Sequence, residues 1–195
     1  GFPRAVAEHT RNGDVSENYL NDLRSWLRID VDPEGPQDSV PRLLSEIAER
    51  ATSPLSITNA AAELGHTRNI MERRLNRLVS SQAALWCPRR EGERIVVGAQ
   101  SKLYLTDPLL ASLPSRLRAG LPMPDMTRLT EMTIGVALAR AIDDLEEGRW
   151  VAGDTIGYAR TTREGEIDLG PVAVPSAAGP VLTVPIESKW VDHGW

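Results

Sequence analysis

The chain has 195 residues, of which 41% are hydrophobic and 25% charged, with a formal net charge of −5. That is enough apolar material for one large or two small packed domains, with no bias toward disorder. Its single cysteine, Cys87, excludes an internal disulfide, and with only His9, His66 and His193 beside it there is no zinc-ligand spacing.

Ser16 is suited to cap a helix, and Leu20, Leu23 and Leu27 recur at helical spacing, which predicts an amphipathic helix over 16–29. The cluster Asp30-Val31-Asp32-Pro33-Glu34-Gly35-Pro36 breaks it, and Ser39 then caps a second helix carrying Leu43, Leu44, Ile47 and Ala48. Residues 58–80 have the pattern of a helix-turn-helix. Thr58 caps a short helix, Gly65-His66-Thr67 makes the turn, and a second helix runs over 68–80. On that second helix Met71, Leu75, Leu78 and Val79 form one stripe, while Asn69, Glu72, Arg73 and Asn76 lie opposite. Leu85-Trp86-Cys87-Pro88 and Ile95-Val96-Val97 flank a charged tip and read as a β-hairpin, which would complete a winged helix over 39–106.

Residues 107–126 contain Pro108, Pro114, Gly120, Pro122 and Pro124 and read as a linker with one short helical turn. Helical spacing returns from Met126 to Glu147, and strands are predicted over 149–162, 166–174 and 181–190. The expected fold is thus mixed α/β, of the α+β kind. A helical segment over 1–38 precedes the winged helix-turn-helix (39–106), the linker (107–126) and a helix-and-sheet domain over 127–195. No run approaches the roughly 20 apolar residues that span a bilayer, and no basic-then-apolar leader opens the chain, so a cytoplasmic protein without a membrane partner is expected.

Charge is unevenly spread. Between 66 and 102 lie Arg68, Arg73, Arg74, Arg77, Arg89, Arg90, Arg94 and Lys102 against Glu72, Glu91 and Glu93, a positive window in an acidic chain. With Asn69 and Asn76, the arginines form a candidate nucleic-acid surface, a basic helix plus a basic hairpin tip as expected for duplex DNA. Arginines of this kind also simply solvate an exposed helix face.

The last predicted strand carries the chemistry. Alternation places Glu187 and Lys189 on one face and Leu182, Val184, Ile186 and Ser188 on the other. With Asp168 of the neighbouring strand facing the same way, two carboxylates and an ammonium would converge where a divalent cation and a phosphate could sit. Glu166 shares the face of Asp168 and is a second-rank ligand, and Arg160 suits a phosphate. Glu131, one turn before Gly135, lies at the edge of a buried helix face and is placed to complete the metal site. The plainer alternative is a same-face pair of Glu187 and Lys189 on a half-exposed strand, with Glu131 favoured by the helix dipole by about 0.3–1 kcal/mol.

Asp168 with Glu187-x-Lys189 resembles the PD-(D/E)XK nuclease superfamily. A longer set of residues resembles the domain that follows AAA+ ATPase modules in many bacterial and archaeal proteins: Gly1-Phe2-Pro3, Ser101-Lys102-Leu103-Tyr104-Leu105-Thr106-Asp107-Pro108, Glu131, Tyr158-Ala159-Arg160 through Glu166-Ile167-Asp168, and Ile186-Glu187-Ser188-Lys189. This resemblance spans nearly the whole chain and departs from the family at Ala159, where Trp is usual. It implies a nuclease-like sheet domain, here without the helix and strand with which that fold usually continues. Mg²⁺ or Mn²⁺ would be held by Asp168, Glu187 and Glu131, and Lys189 would orient water or offset charge on phosphorus, making these four the catalytic set. No Gly-x4-Gly-Lys-Ser/Thr loop occurs, so ATP would belong to an AAA+ module outside this chain, which becomes an expected partner alongside DNA; oligomerisation is left open. The expected function is the C-terminal part of an AAA+-type ATPase, binding DNA and carrying metal-dependent phosphodiester hydrolysis. Two alternatives are a non-catalytic interaction module of the ATPase and a DNA-binding transcription regulator.

Overall fold

The computed structural model describes residues 2–92, 94–145, 156–160, 165–176 and 179–191. It begins with a helix that the hydrophobic pattern did not predict, α1 (Pro3–Asn12), with Pro3 in the first turn, where its missing N–H is no loss, and Gly13 at φ 80 closing the end on the His9 carbonyl. Next comes α2 (Glu17–Val31), whose cap Ser16 accepts from the Tyr19 N–H and whose buried stripe is Leu20, Leu23, Leu27 and Val31. It is followed by α3 (Ser39–Glu49), α4 (Ile57–Glu63) and α5 (Arg68–Ser80). The cap of α4 is Ser56, two residues before the expected Thr58, and Thr67 caps α5. Between them Gly65 takes φ 70, a left-handed conformation that glycine adopts without a Cβ clash.

Where a linker was expected, the chain forms α6 (Pro108–Leu117). Asp107 caps it, its carboxylate accepting from the Leu109 N–H at 2.9 Å and also from the Phe2 N–H at 2.8 Å, so one side chain ties the starts of α6 and α1. An interior proline such as Pro114 costs a helix about 3 kcal/mol. Burial of Leu109, Leu110 and Leu113 returns about 1.5–3 kcal/mol each, so packing wins over propensity.

Arg74 and Arg77 of α5 both reach the end of α2. The Arg77 guanidinium donates to the Val31 carbonyl at 3.4 Å, and Arg74 pairs with Asp32 at 2.5 Å, both side chains more than nine-tenths buried. Cations at a helix C-terminus are favoured by its exposed carbonyls.

The strands are short. β1 (Ala84–Cys87) does not pair with 95–97 as a hairpin. Its partner is β4 (Lys102–Leu105), and a separate two-residue ladder, β2 (Arg90–Glu91) with β3 (Arg94–Ile95), lies in the connection. All four residues of β4 are buried, so it lacks the alternation by which a strand is recognised. After α7 (Met126–Leu145) come β5 (Ala159–Arg160), β6 (Glu166–Ile167), β7 (Leu169–Ser176) and β8 (Gly179–Ile186). β5 pairs antiparallel with β6, and β7 with β8. Of the strand expected over 149–162, residues 149–155 and 161–162 lie outside the described residues. Tyr158 stitches β5 to the first strands: its N–H donates to the Pro88 carbonyl and its carbonyl accepts from the Arg90 N–H.

These elements fall into two units, each discontinuous in sequence where consecutive segments were expected. A helical unit comprises Gly1–Glu49, Ser56–Ala84 and Leu105–Asp125; a sheet unit comprises Arg50–Leu55, Leu85–Tyr104 and Met126–Trp195. The architecture is mixed helix and small two-stranded sheets, consistent with an α+β class. Among the described residues no helix is long and apolar enough to cross a membrane.

Candidate functional site

The polar centre of the sheet unit is Lys102. Its side chain is fully buried, and its Nζ lies 2.7 Å from Glu131 Oε1 and 2.8 Å from Glu166 Oε1. Tyr104, two residues along β4 and so on the same face, donates its hydroxyl to the same Glu131 oxygen at 2.6 Å. The Lys102 ammonium also stands 5.3 Å from the centroid of the Tyr158 ring, within cation–π range. Tyr158 is itself fixed, donating its hydroxyl to the Gln100 carbonyl at 2.7 Å.

Gly135 explains how Tyr104 reaches Glu131. The Tyr104 ring lies against the Gly135 backbone so closely that a Cβ there would come within 2.8 Å of it. Glu131, Met132, Val136 and Ala139 are the buried stripe of α7, and Glu131 is the one carboxylate on it. The two ends of the ion pair titrate differently. Burial alone would lower the Lys102 pKa, but the hydrogen bonds to Glu131 and Glu166 outweigh it and hold the ammonium above its ordinary value. For Glu131, burial raises the pKa, aided by the nearby charge of Asp168, and the bonds from Lys102 and Tyr104 offset this only in part. One ammonium shared between two carboxylates satisfies the cation more fully than it satisfies either anion.

Cys87, on the strand paired with β4, is buried and hydrogen-bonded to Tyr104; desolvation pushes its thiol up to about 12. At pH 8 only about one thiol in ten thousand would be ionised. Native protein should therefore resist iodoacetamide at Cys87 and label rapidly in guanidinium, as followed by mass spectrometry. Fast labelling of the native chain would contradict this packing.

The residues expected to form a metal site are placed unevenly. Asp168 sits between β6 and β7, and its Oδ2 accepts from both the backbone N–H and the hydroxyl of Ser188, at 2.9 and 3.1 Å. β8 ends at Ile186, so Glu187 and Lys189 lie beyond the strand whose alternation would give them a shared face, and both are exposed. Glu131 is deeply buried and its carboxylate oxygen is taken by Lys102 and Tyr104. Among the described residues no three of His, Cys, Asp or Glu come together so as to hold a metal ion. Glu166 belongs to the Lys102 centre, with the Arg160 Nε 3.6 Å from its other oxygen. Lys102 and Tyr104 were not singled out as site residues, although they stand in the segment Ser101 to Pro108. The available signal was composition: Lys102 and Lys189 are the only two lysines in a chain with twenty arginines.

The expected nucleic-acid residues also divide. On α5, Arg68, Asn69, Arg73, Asn76 and Arg77 are exposed along one side, opposite buried Met71, Leu75 and Leu78. Arg68 pairs with Glu72 at 2.8 Å on the surface. Arg74 points inward to Asp32, so its guanidinium is not available to a phosphate. In the sheet unit Arg94 is exposed, Arg89 pairs with Glu91 at 3.0 Å, and the Arg90 side chain packs over Gly157. The helical unit also has a groove of about 530 Å³, where Arg24, Arg42 and Arg118 stand with Asp38, Glu46 and Glu49, a balanced set that selects no ligand by charge.

Compared with models of known protein families, with curated proteins and with solved structures, the chain matches none.

Proposed function

We propose that this chain is a DNA-binding interaction module, working beside an AAA+-type ATPase module, in which α5 lies on the duplex and the sheet unit serves as scaffold and not as a hydrolase. The observation that carries the reading is the split of α5, with Arg68, Asn69, Arg73, Asn76 and Arg77 exposed on one side, Arg77 also donating to the Val31 carbonyl, while Met71, Leu75 and Leu78 anchor the other. Guanidinium groups spaced along a helix suit the phosphates flanking a groove, and the two asparagines between them can meet base edges. The short α4, the Gly65 turn and α5 form a helix-turn-helix arrangement that presents such a face. The hydrolytic alternative is less well supported, because Glu187 and Lys189 stand exposed past β8 while Glu131 is engaged by Lys102.

Fluorescence anisotropy with a duplex of arbitrary sequence, titrated across ionic strength, tests the proposal. Three phosphate-contacting arginines give a log–log salt slope of about −2.7, and Arg68→Ala with Arg73→Ala should reduce its magnitude by about 1.8. Absence of salt-sensitive binding at low ionic strength, or a slope untouched by the double substitution, would remove the reading.

A further inference from the structure

We propose that the Lys102 ammonium is the resident cation of the sheet unit, held by Glu131 and Glu166 in the place a divalent ion would take, and that it makes this unit independent of metal. The inference concerns the sheet unit alone and does not depend on DNA binding by α5.

Three observations support it. Two carboxylates from elements far apart in the chain, α7 and β6, put one oxygen each within 2.7 and 2.8 Å of a single point, and that point is Nζ. These are ammonium–carboxylate hydrogen-bond lengths, whereas a divalent ion needs its oxygens at about 2.0–2.6 Å. An ammonium has three donors: two meet the carboxylates, and the ion's remaining side faces the Tyr158 ring. The lysine side chain is wholly buried, so the cation is supplied from inside the fold. A charge in such a place must be paired: Arg160, half-exposed, stands 3.6 Å from the outer oxygen of Glu166, while the Glu131 carboxylate, which also feels Asp168, has Lys102 as its cation. The pocket is therefore one in which some cation is obligatory, and the chain provides it covalently.

Mn²⁺ is the probe. In wild-type protein, millimolar Mn²⁺ should leave the melting temperature unchanged, and the electron paramagnetic resonance signal of the free aqueous ion should not fall on adding protein. Lys102→Ala removes the resident cation and leaves two facing carboxylates, so this variant should melt lower and should be raised by roughly 5 °C or more by Mn²⁺. The double variant Lys102→Ala with Glu131→Ala should lose that response. Should Lys102→Ala fail to fold alone, it should regain cooperative melting when refolded with Mn²⁺. Stoichiometric Mn²⁺ binding by the wild type would overturn the proposal, as would a Lys102→Ala variant that Mn²⁺ neither stabilises nor refolds. The wild-type resonance measurement stands whatever the variants do, and neither readout involves DNA, so failure here and failure of the α5 reading are separable.

Discussion

Glu131→Ala is expected to lower stability by about 3–5 kcal/mol, because it leaves a buried ammonium short of one of its two anions. Lys102 is fully buried and Glu131 only 3% exposed at the side chain, so water cannot take over. Chemical denaturation followed by the fluorescence of the five tryptophans reads the effect. Replacing the pair together, as Lys102→Met with Glu131→Leu, should recover much of the loss, since the desolvation of both charges is then relieved at once. Glu187→Ala, on an exposed side chain beyond β8, should change stability by less than about 0.5 kcal/mol. Equal effects at 131 and 187 would contradict the placement of both. The same centre sets an alkaline limit. Lys102 has a pKa raised in the fold above its ordinary 10.5, so its contribution is complete below 10.5 and is lost as pH rises through the higher folded value. Wild-type stability should therefore fall above that pH more steeply than in the Lys102→Met, Glu131→Leu variant.

The second large effect is at a glycine. A Cβ on Gly35 would come within 1.7 Å of Asp32 Oδ2 and 2.4 Å of Asp32 Cγ, an overlap that forces the carboxylate away from Arg74. Gly35→Ala should thus cost about 3–5 kcal/mol, as expected when a buried ion pair is broken, although alanine is otherwise the mildest replacement. With Asp32→Ala in the background the carboxylate is gone and the remaining close atom is the Ser39 Oγ at 2.8 Å, so adding Gly35→Ala should cost far less and the double-mutant cycle should show strong coupling. Additive costs would mean that the alanine acts through the loop backbone alone.

Much of the helical unit was legible in the sequence, and the reason is periodicity. Leu20, Leu23 and Leu27 on α2 and Met71, Leu75 and Leu78 on α5 repeat at helical spacing, and all are buried. α1 was missed because Ala5 is its only buried residue, leaving no stripe to recognise. α6 was hidden by its prolines, although Asp107-Pro108 is a favourable helix start, a carboxylate cap followed by a residue that needs no N–H partner. In the sheet unit the strands are mostly two to four residues long, too short for alternation to define, and the pairing of β1 with β4 depends on contacts across a connection that carries its own ladder.

The chemical residues follow the same division. Glu131, Glu166 and Asp168 were recognisable as acidic groups in the right order, but alternation alone could not tell that β8 stops at Ile186, one residue before Glu187. Nor does a lysine in an apolar strand announce that it faces inward; that depends on Glu131 and Glu166, 29 and 64 positions later, arriving to meet it. For α5 the polar face was legible and the inward turn of Arg74 was not, because its partner Asp32 comes from the end of another helix.

The burial of the Lys102 ammonium is tested most directly by nuclear magnetic resonance of isotopically labelled lysine side chains, since the chain has only two to distinguish. One ammonium, Lys102, should persist as a slowly exchanging signal with contacts to the Tyr158 ring, sensitive to Glu131→Gln, while Lys189 should exchange rapidly with water. Two equally fast-exchanging ammonium groups, both indifferent to Glu131→Gln, would contradict a sheet unit organised around a buried lysine.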